Sequence, residues 1–247
     1  MRDYAITYQQ LIRQAVRRGF PESDLSRLRT GYDLALRLTD GLYRKQMVPF
    51  ICHLVRTASI VMHETSDLSP ILASMLHAVC FLHVFADSTR RGPRASDRQL
   101  LRDALGDDVE GLIRDYSQFR FGAAEASHWA NPAHIPDART RQLLIMRLAD
   151  ELEDHLDAAE AFVPKGRFRS GDPHYGQEFV ALARRLGLEA LANDFQEALE
   201  ISQNTRLPES LLSSHASSYE LRNRLWKANV LERLGAWLRR RRMGRDA

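Results

Sequence analysis

One segment of the sequence, from Ser69 to Ala86, limits the possible fold more than any other. Drawn as a helix, it is apolar around almost its whole circumference, and its polar interruptions are Ser74, His77 and His83. A helix of this kind lies at the centre of a bundle, because it has no polar face to turn toward water. We therefore expect His77 to be buried, where both of its ring nitrogens need partners.

Helical periodicity extends over most of the remaining chain, and no segment has the alternating pattern of a half-buried strand. The predicted class is all-α. Long loops are expected from Phe121 to Pro136 and from Pro164 to Pro173, where they are long enough to cover a pocket. The predicted helices span residues 4–18, 22–41, 47–63, 69–86, 96–104, 107–119, 137–162, 175–186, 189–203 and 218–241.

The composition fits one globular domain with a sizeable core, since 44% of the 247 residues are hydrophobic and 27% are charged. We divide the chain into a helical domain, residues 1–205, and a C-terminal helical extension with a basic tail, residues 206–247. The net charge of +3 depends on the run from Arg239 to Arg242, which a solvated helix end explains without a nucleic-acid partner. No stretch resembles a membrane span or a signal peptide, so we expect a cytoplasmic protein without a membrane partner.

Five motifs follow one another along the chain at regular places in the predicted helices. They are LYRKQMVPFICH (residues 42–53), LHAVCFL (76–82), LGDDVEGLI (105–113), LLIMRLAD (143–150) and FVALARRLGL (179–188). Together they resemble the hydrolase domain of the RelA/SpoT-type (p)ppGpp synthetase/hydrolases, which belongs to the HD superfamily. The resemblance covers roughly residues 30 to 200 and implies an HD-domain-like helical bundle.

The resemblance also implies a degenerate metal site. His53, His77 and Asp150 match three ligands of the family's divalent-metal site, for which Mn, Fe or Zn is the expected ion. The aspartate that the family has directly after its second histidine is Ala78 in this chain. Loss of that ligand and its charge is expected to weaken metal binding, so no cofactor is the first expectation and a divalent metal is the alternative.

Other positions of the implied site also differ from the family. Phe81 and Leu82 stand where the family has a glutamate–aspartate pair implicated in water activation, and Asp154 stands where it has an asparagine. Arg44 and Lys45 match the family's basic pair near the guanine nucleotide, which implies contact with an anion or a planar ring. Because an apolar pair cannot position a hydroxide or accept its proton, we expect little or no (p)ppGpp hydrolysis.

Three functional hypotheses follow. In the first, the former phosphohydrolase site is a largely apolar small-molecule pocket lined by Arg44, Lys45, Ala78, Phe81 and Leu82. Its metal-independent acid–base chemistry is assigned to His53, His77, Asp150 and Asp154. The second is a non-catalytic pseudoenzyme that binds a nucleotide or another small molecule, and the third is a residual metal-dependent phosphohydrolase acting on a (p)ppGpp-like nucleotide. The apolar face of the last predicted helix, around Trp226, either packs on the body or supports a homodimer.

Overall fold

The structure of the protein is a computed structural model that describes residues 1–44, 48–80, 95–162 and 175–212. Within these ranges the chain is all-α, as the periodicity predicted, and its one β-type pairing is an isolated bridge between Tyr43 and Pro49. Lys45, Phe81, Leu82 and the predicted helix over residues 218–241 lie outside the described residues.

The described part of the chain contains ten α-helices and three short 3₁₀ segments. The helices are α1 (Tyr8–Arg17), α2 (Glu22–Thr39), α3 (Phe50–Glu64), α4 (Leu68–Leu76), α5 (Ala95–Leu105), α6 (Asp107–Gln118), α7 (Ala123–Ala130), α8 (Ala138–His155), α9 (Gln177–Arg185) and α10 (Glu189–Asn204). The 3₁₀ segments are His77–Cys80, Leu156–Phe162 and Glu209–Leu211. Among the described residues, no helix combines the length and the apolar character needed to cross a membrane.

Side-chain caps fix the starts of three helices. Thr7 and Gln10 form a reciprocal capping box at the start of α1. Asp67 caps α4 and Asp137 caps α8, each by accepting a hydrogen bond from a backbone N–H of the first turn. The helices that carry two of the predicted site residues therefore begin at defined points of the sequence.

The centre of the bundle is formed by α3, α4 and α8. Helix α3 packs against both of the others, and α4 also packs against α2 and α6. Every residue of α4 from Pro70 to Leu76 is buried, in agreement with the expectation that this apolar segment is central. On the far side of α8, the outer layer consists of α10, α9 and α7, each packed on the one before.

Two predicted elements are wrong. The segment from Ser69 to Ala86 was expected to be one helix, but its α-helical geometry ends at Leu76 and a 3₁₀ turn, His77–Cys80, follows. The stretch from Phe121 to Pro136 was expected to be a loop, but it contains α7, an alanine-rich helix that buries Ala126 and packs on α9. Eight residues are too few to give a clear helical period, so packing on α9 decides the outcome.

Gly176 allows α9 and α10 to approach closely. Its φ is +88°, and a Cβ atom at this position would lie 2.7 Å from Leu199 Cδ2. We expect Gly176→Ala to lower the free energy of unfolding by about 2 to 5 kcal/mol, because left-handed backbone strain adds to steric overlap. Gly187→Ala is the matched control, since Gly187 has a φ of +74° but nothing within 4 Å of its Cβ position. Equal losses in denaturant unfolding would contradict a role for the Leu199 contact.

Candidate metal centre

The side chains of His53, His77 and Asp150 meet where α3, the end of α4 and α8 come together. The Nε2 atoms of the two histidines are 3.3 Å apart. Asp150 Oδ1 lies 3.3 Å from His77 Nε2 and 3.5 Å from His53 Nε2. Three potential ligand atoms from three elements thus form a nearly equilateral triangle, which we call the ligand triangle.

The ligand triangle is buried on its histidine side. His53 and His77 are 1% and 4% exposed, whereas the side chain of Asp150 is 18% exposed. Asp150 is therefore the most exposed of the three residues, although its Oδ1 atom is buried. Ala78 is buried beside His77 in the 3₁₀ turn.

The Nδ1 atoms of the two histidines are held by acceptors outside the ligand triangle. His53 Nδ1 lies 2.6 Å from Glu153 Oε2, and His77 Nδ1 lies 2.6 Å from the carbonyl oxygen of Ser74. Since neither acceptor can donate, each contact requires the proton on Nδ1, which in a neutral imidazole leaves the lone pair on Nε2. Arg44 Nη1 also approaches His53 Nδ1 to 2.9 Å, and both groups donate to the same Glu153 oxygen.

Tyr116 and Arg147 orient the carboxylate of Asp150. Tyr116 Oη donates to Asp150 Oδ2 at 2.5 Å, and the guanidinium of Arg147 lies 3.7 Å above the Tyr116 ring. Burial and the charge of Asp150 raise the pKa of Tyr116 well above its ordinary value, so its hydroxyl stays a donor. Oδ1 is thereby turned toward the histidines, where it receives no hydrogen bond from any described group.

The pKa of Asp150 reflects the two histidines. Burial alone would raise it, but His77, then His53 and the hydrogen bond from Tyr116, hold the pKa below its ordinary value. The carboxylate is therefore ionised at neutral pH and presents a negative oxygen to the two imidazole rings.

A buried ion cluster, formed by Arg44, Glu153 and Asp154, lies behind His53. The guanidinium of Arg44, a residue only 4% exposed, pairs with both carboxylates. Burial raises the pKa of Glu153, but Arg44 and His53 together lower it to about 2. Burial outweighs Arg44 at Asp154 and, with the nearby charges of Asp150 and Glu153, raises the pKa of Asp154. The sequence predicts that Arg44 contacts a ligand, whereas in the structure its charge is directed at these two acids.

A pocket of about 420 Å³ adjoins the ion cluster on the side away from the ligand triangle. Its floor is mostly apolar, and its polar lining includes Arg44, Cys52, Arg56 and Glu153. The pocket therefore reaches His53 only through Glu153 and Arg44. Ala78, which was predicted to line a small-molecule pocket, is not among the residues that line this one.

The sequence reasoning missed four residues around the site: Ser74 and Glu153 as partners of the histidines, Tyr116 as the partner of Asp150, and His155 as a buried residue. Glu153 had a signal, because acids three and four residues after Asp150 share its helix face. Tyr116 also had one, since a tyrosine on a buried stripe needs a partner for its hydroxyl. His155, the last residue of α8, is 1% exposed and packs edge-on against Tyr175 and Phe195.

In comparisons with known proteins, no protein-family model matches the chain, and no curated protein matches it significantly.

Proposed function

We propose that the ligand triangle of His53, His77 and Asp150 holds one divalent transition-metal ion, and that the protein is a metal-dependent hydrolase of a small molecule. The observation that carries the proposal is the convergence of three potential ligand atoms, two imidazole nitrogens and one carboxylate oxygen, at 3.3 to 3.5 Å from one another. The resemblance to the HD superfamily supports this reading and favours a phosphate ester as the class of substrate.

The distances within the ligand triangle fit such an ion. Imidazole and carboxylate ligands about 2.0 to 2.1 Å from a tetrahedral metal are separated from one another by about 3.3 to 3.5 Å. Two imidazole nitrogens with one carboxylate oxygen suit zinc, iron or manganese. Three protein ligands leave at least one coordination position for water or substrate.

The charge of the surrounding groups supports the same conclusion. Asp150, Glu153 and Asp154 contribute three negative charges when ionised, against one positive charge from Arg44, if both histidines are neutral. A divalent cation would balance the remaining charge of minus two. Two protons on the histidines would also balance it, but two imidazolium nitrogens 3.3 Å apart repel each other strongly in a buried site.

A metal ion bound by these groups supplies a water molecule that is ionised near neutral pH. Residues of the chain orient the ligands and hold a proton. Glu153 and the carbonyl of Ser74 prevent the imidazoles of His53 and His77 from rotating. Asp154, whose pKa is raised by burial, lies one helical turn from Asp150 and is the acid of the ion cluster suited to holding a proton.

Metal-free acid–base chemistry by the same residues is the competing function, favoured by the loss of a ligand at Ala78. Metal analysis of the purified protein separates the two. We expect close to one ion per chain, and saturable binding of Zn²⁺, Mn²⁺ or Fe²⁺ to the metal-depleted protein. The double variant His53→Ala/His77→Ala should lose both, whereas His128→Ala, which removes an exposed histidine of α7, should keep both. Absence of saturable binding for all three ions would refute the metal proposal.

Hydrolytic activity is tested with phosphate mono- and diesters of p-nitrophenol, for which we expect release of p-nitrophenol that follows metal occupancy. The same protein should release little or no pyrophosphate from ppGpp in the presence of manganese, because Ala78, Phe81 and Leu82 remove a ligand and two acids. Rapid pyrophosphate release would show that these substitutions do not limit the reaction.

A further inference from the structure

A second pocket, of about 350 Å³, lies between the residues that precede α1, the exposed face of α1 and the end of α3. Its lining includes four arginines, Arg2, Arg13, Arg17 and Arg18, but only one acid, Asp3. None of its lining residues belongs to the metal centre or to the pocket beside it. We call it the arginine pocket.

Three of these arginines project from α1 and its C-terminal cap. Arg13, Arg17 and Arg18 are exposed; the spacing of four residues places Arg13 and Arg17 on one side of α1, and Arg18 is its C-terminal cap. Among the described residues, none of the three has a carboxylate partner. Neighbouring acids therefore do not neutralise these three positive charges, which can act together on an anion in the pocket.

The opposite wall is rigid and contains polar atoms that lack partners. Arg2 is fixed by Asp194, whose Oδ2 lies 2.6 Å from its Nε, and by Glu64, whose Oε1 lies 2.6 Å from its Nη1. Arg2 Nη2 and His63 Nε2 are buried, and neither has a hydrogen-bond partner among the described groups. Buried polar atoms of this kind are normally paired, and both of these belong to residues that line the pocket.

The pKa of His63 also reflects the positive charge around the cavity. Burial first, and then the charges of Arg2 and Arg18, lower its pKa. Its ring meets Tyr4 edge-on, with ring centroids 5.4 Å apart, which gives the pocket an aromatic wall next to its basic groups.

We propose that the arginine pocket binds a small polyphosphate anion, either inorganic or as the tail of a nucleotide. Guanidinium groups donate paired hydrogen bonds that match phosphate oxygens, and several arginines around one cavity favour a ligand that carries more than one negative charge. Arg2 is already paired with Asp194 and Glu64, so the other three arginines and Asp3 leave an excess of two positive charges, which suits a pyrophosphate or triphosphate group better than a single carboxylate.

Calorimetric titration with pyrophosphate, tripolyphosphate and ATP tests the proposal. A chelator in the buffer prevents any ion at the metal centre from recruiting phosphate. We expect saturable binding that weakens in about 0.5 M salt, where charges are screened within about 4 Å. Tighter binding of ATP than of tripolyphosphate would assign a nucleotide, and equal affinities would assign the inorganic anion.

The arginines chosen for substitution are exposed, so we expect the variants to fold like the parent protein. Arg13→Ala/Arg17→Ala should weaken binding by at least about tenfold, through the loss of charge-assisted hydrogen bonds. Arg13→Lys/Arg17→Lys keeps the positive charges but not the paired N–H donors of the guanidinium groups, so it should lower the affinity by a smaller factor. Arg120→Ala/Arg184→Ala removes two exposed arginines elsewhere and should stay within about twofold of the parent protein. No saturable binding of any of the three anions at low salt, or an equal loss in this control, would overturn the proposal.

Discussion

Replacing Asp150 with asparagine should weaken divalent-metal binding by at least about a hundredfold, a larger loss than the typical effect of removing a partner of a metal ligand. The same change should leave the metal-free protein as stable as the parent protein or more stable. When both histidines are neutral, Asp150 Oδ1 faces two Nε2 lone pairs at 3.3 and 3.5 Å, so an amide NH₂ at its position donates where the carboxylate repels. Metal titration and thermal unfolding of the metal-free protein measure the two effects.

The opposite stability result identifies the metal-free alternative. If His53 or His77 carries a positive charge balanced by Asp150, the asparagine variant loses that pairing and becomes less stable at neutral pH. Asp108→Asn is the matched control, because Asp108 is an exposed acid in the first turn of α6. It removes the same charge without touching the site, and should change neither metal affinity nor stability beyond the small effect of a helix-end charge.

Replacing Arg44 with methionine should lower the free energy of unfolding by about 3 to 5 kcal/mol, and the melting temperature by an amount on the order of 10 °C. The substitution removes the buried guanidinium that pairs with both Glu153 and Asp154. Adding Glu153→Gln and Asp154→Asn should restore most of the stability, because the triple variant buries no uncompensated charge. Denaturant unfolding of the single and triple variants measures both steps.

The loss caused by Arg44→Met should shrink as the pH falls. In the parent protein the pKa of Glu153 is lowered to about 2 from an ordinary value of 4.5. Its ionised form therefore stabilises the fold fully above pH 4.5, and this contribution disappears as the pH falls toward 2. Arg29→Met is the control, since Arg29 is exposed and pairs with Asp33 on the surface of α2, where an ion pair contributes little to stability. Equal losses in the two methionine variants would show that burial of the ion cluster is unimportant.

The sequence predicts the frame of this protein better than its details. Apolar character on all sides of the segment from Ser69 to Leu76 is enough to place α4 at the centre, because such a helix has no polar face that could lie at the surface. The change to a 3₁₀ turn at His77 leaves no trace in a sequence without glycine or proline there. It depends on how α4 meets its neighbours, and periodicity carries no information about that contact.

The same division applies to the site. His53, His77 and Asp150 could be named because their residue types and order resemble a known pattern, and because all three lie on apolar helices. The partners that fix them could not, since Tyr116 reaches Asp150 from another helix, and a backbone carbonyl, that of Ser74, has no residue type to recognise. Side-chain partners across helices follow from packing, which a single sequence does not encode in any local pattern.

The origin of the ligand triangle on separate helices sets the time at which the site can exist. His53 meets His77 across 24 residues of chain and Glu153 across 100. During synthesis, at about 5 to 20 residues per second, the two histidines leave the ribosome several seconds before α8 supplies Asp150 and Glu153. A nascent chain that ends before α8 has both imidazoles but lacks Asp150, which lies beside them, and Glu153, which orients His53. The triangle is therefore among the last features to form, and it assembles only after the long-range closure of α8 onto α3.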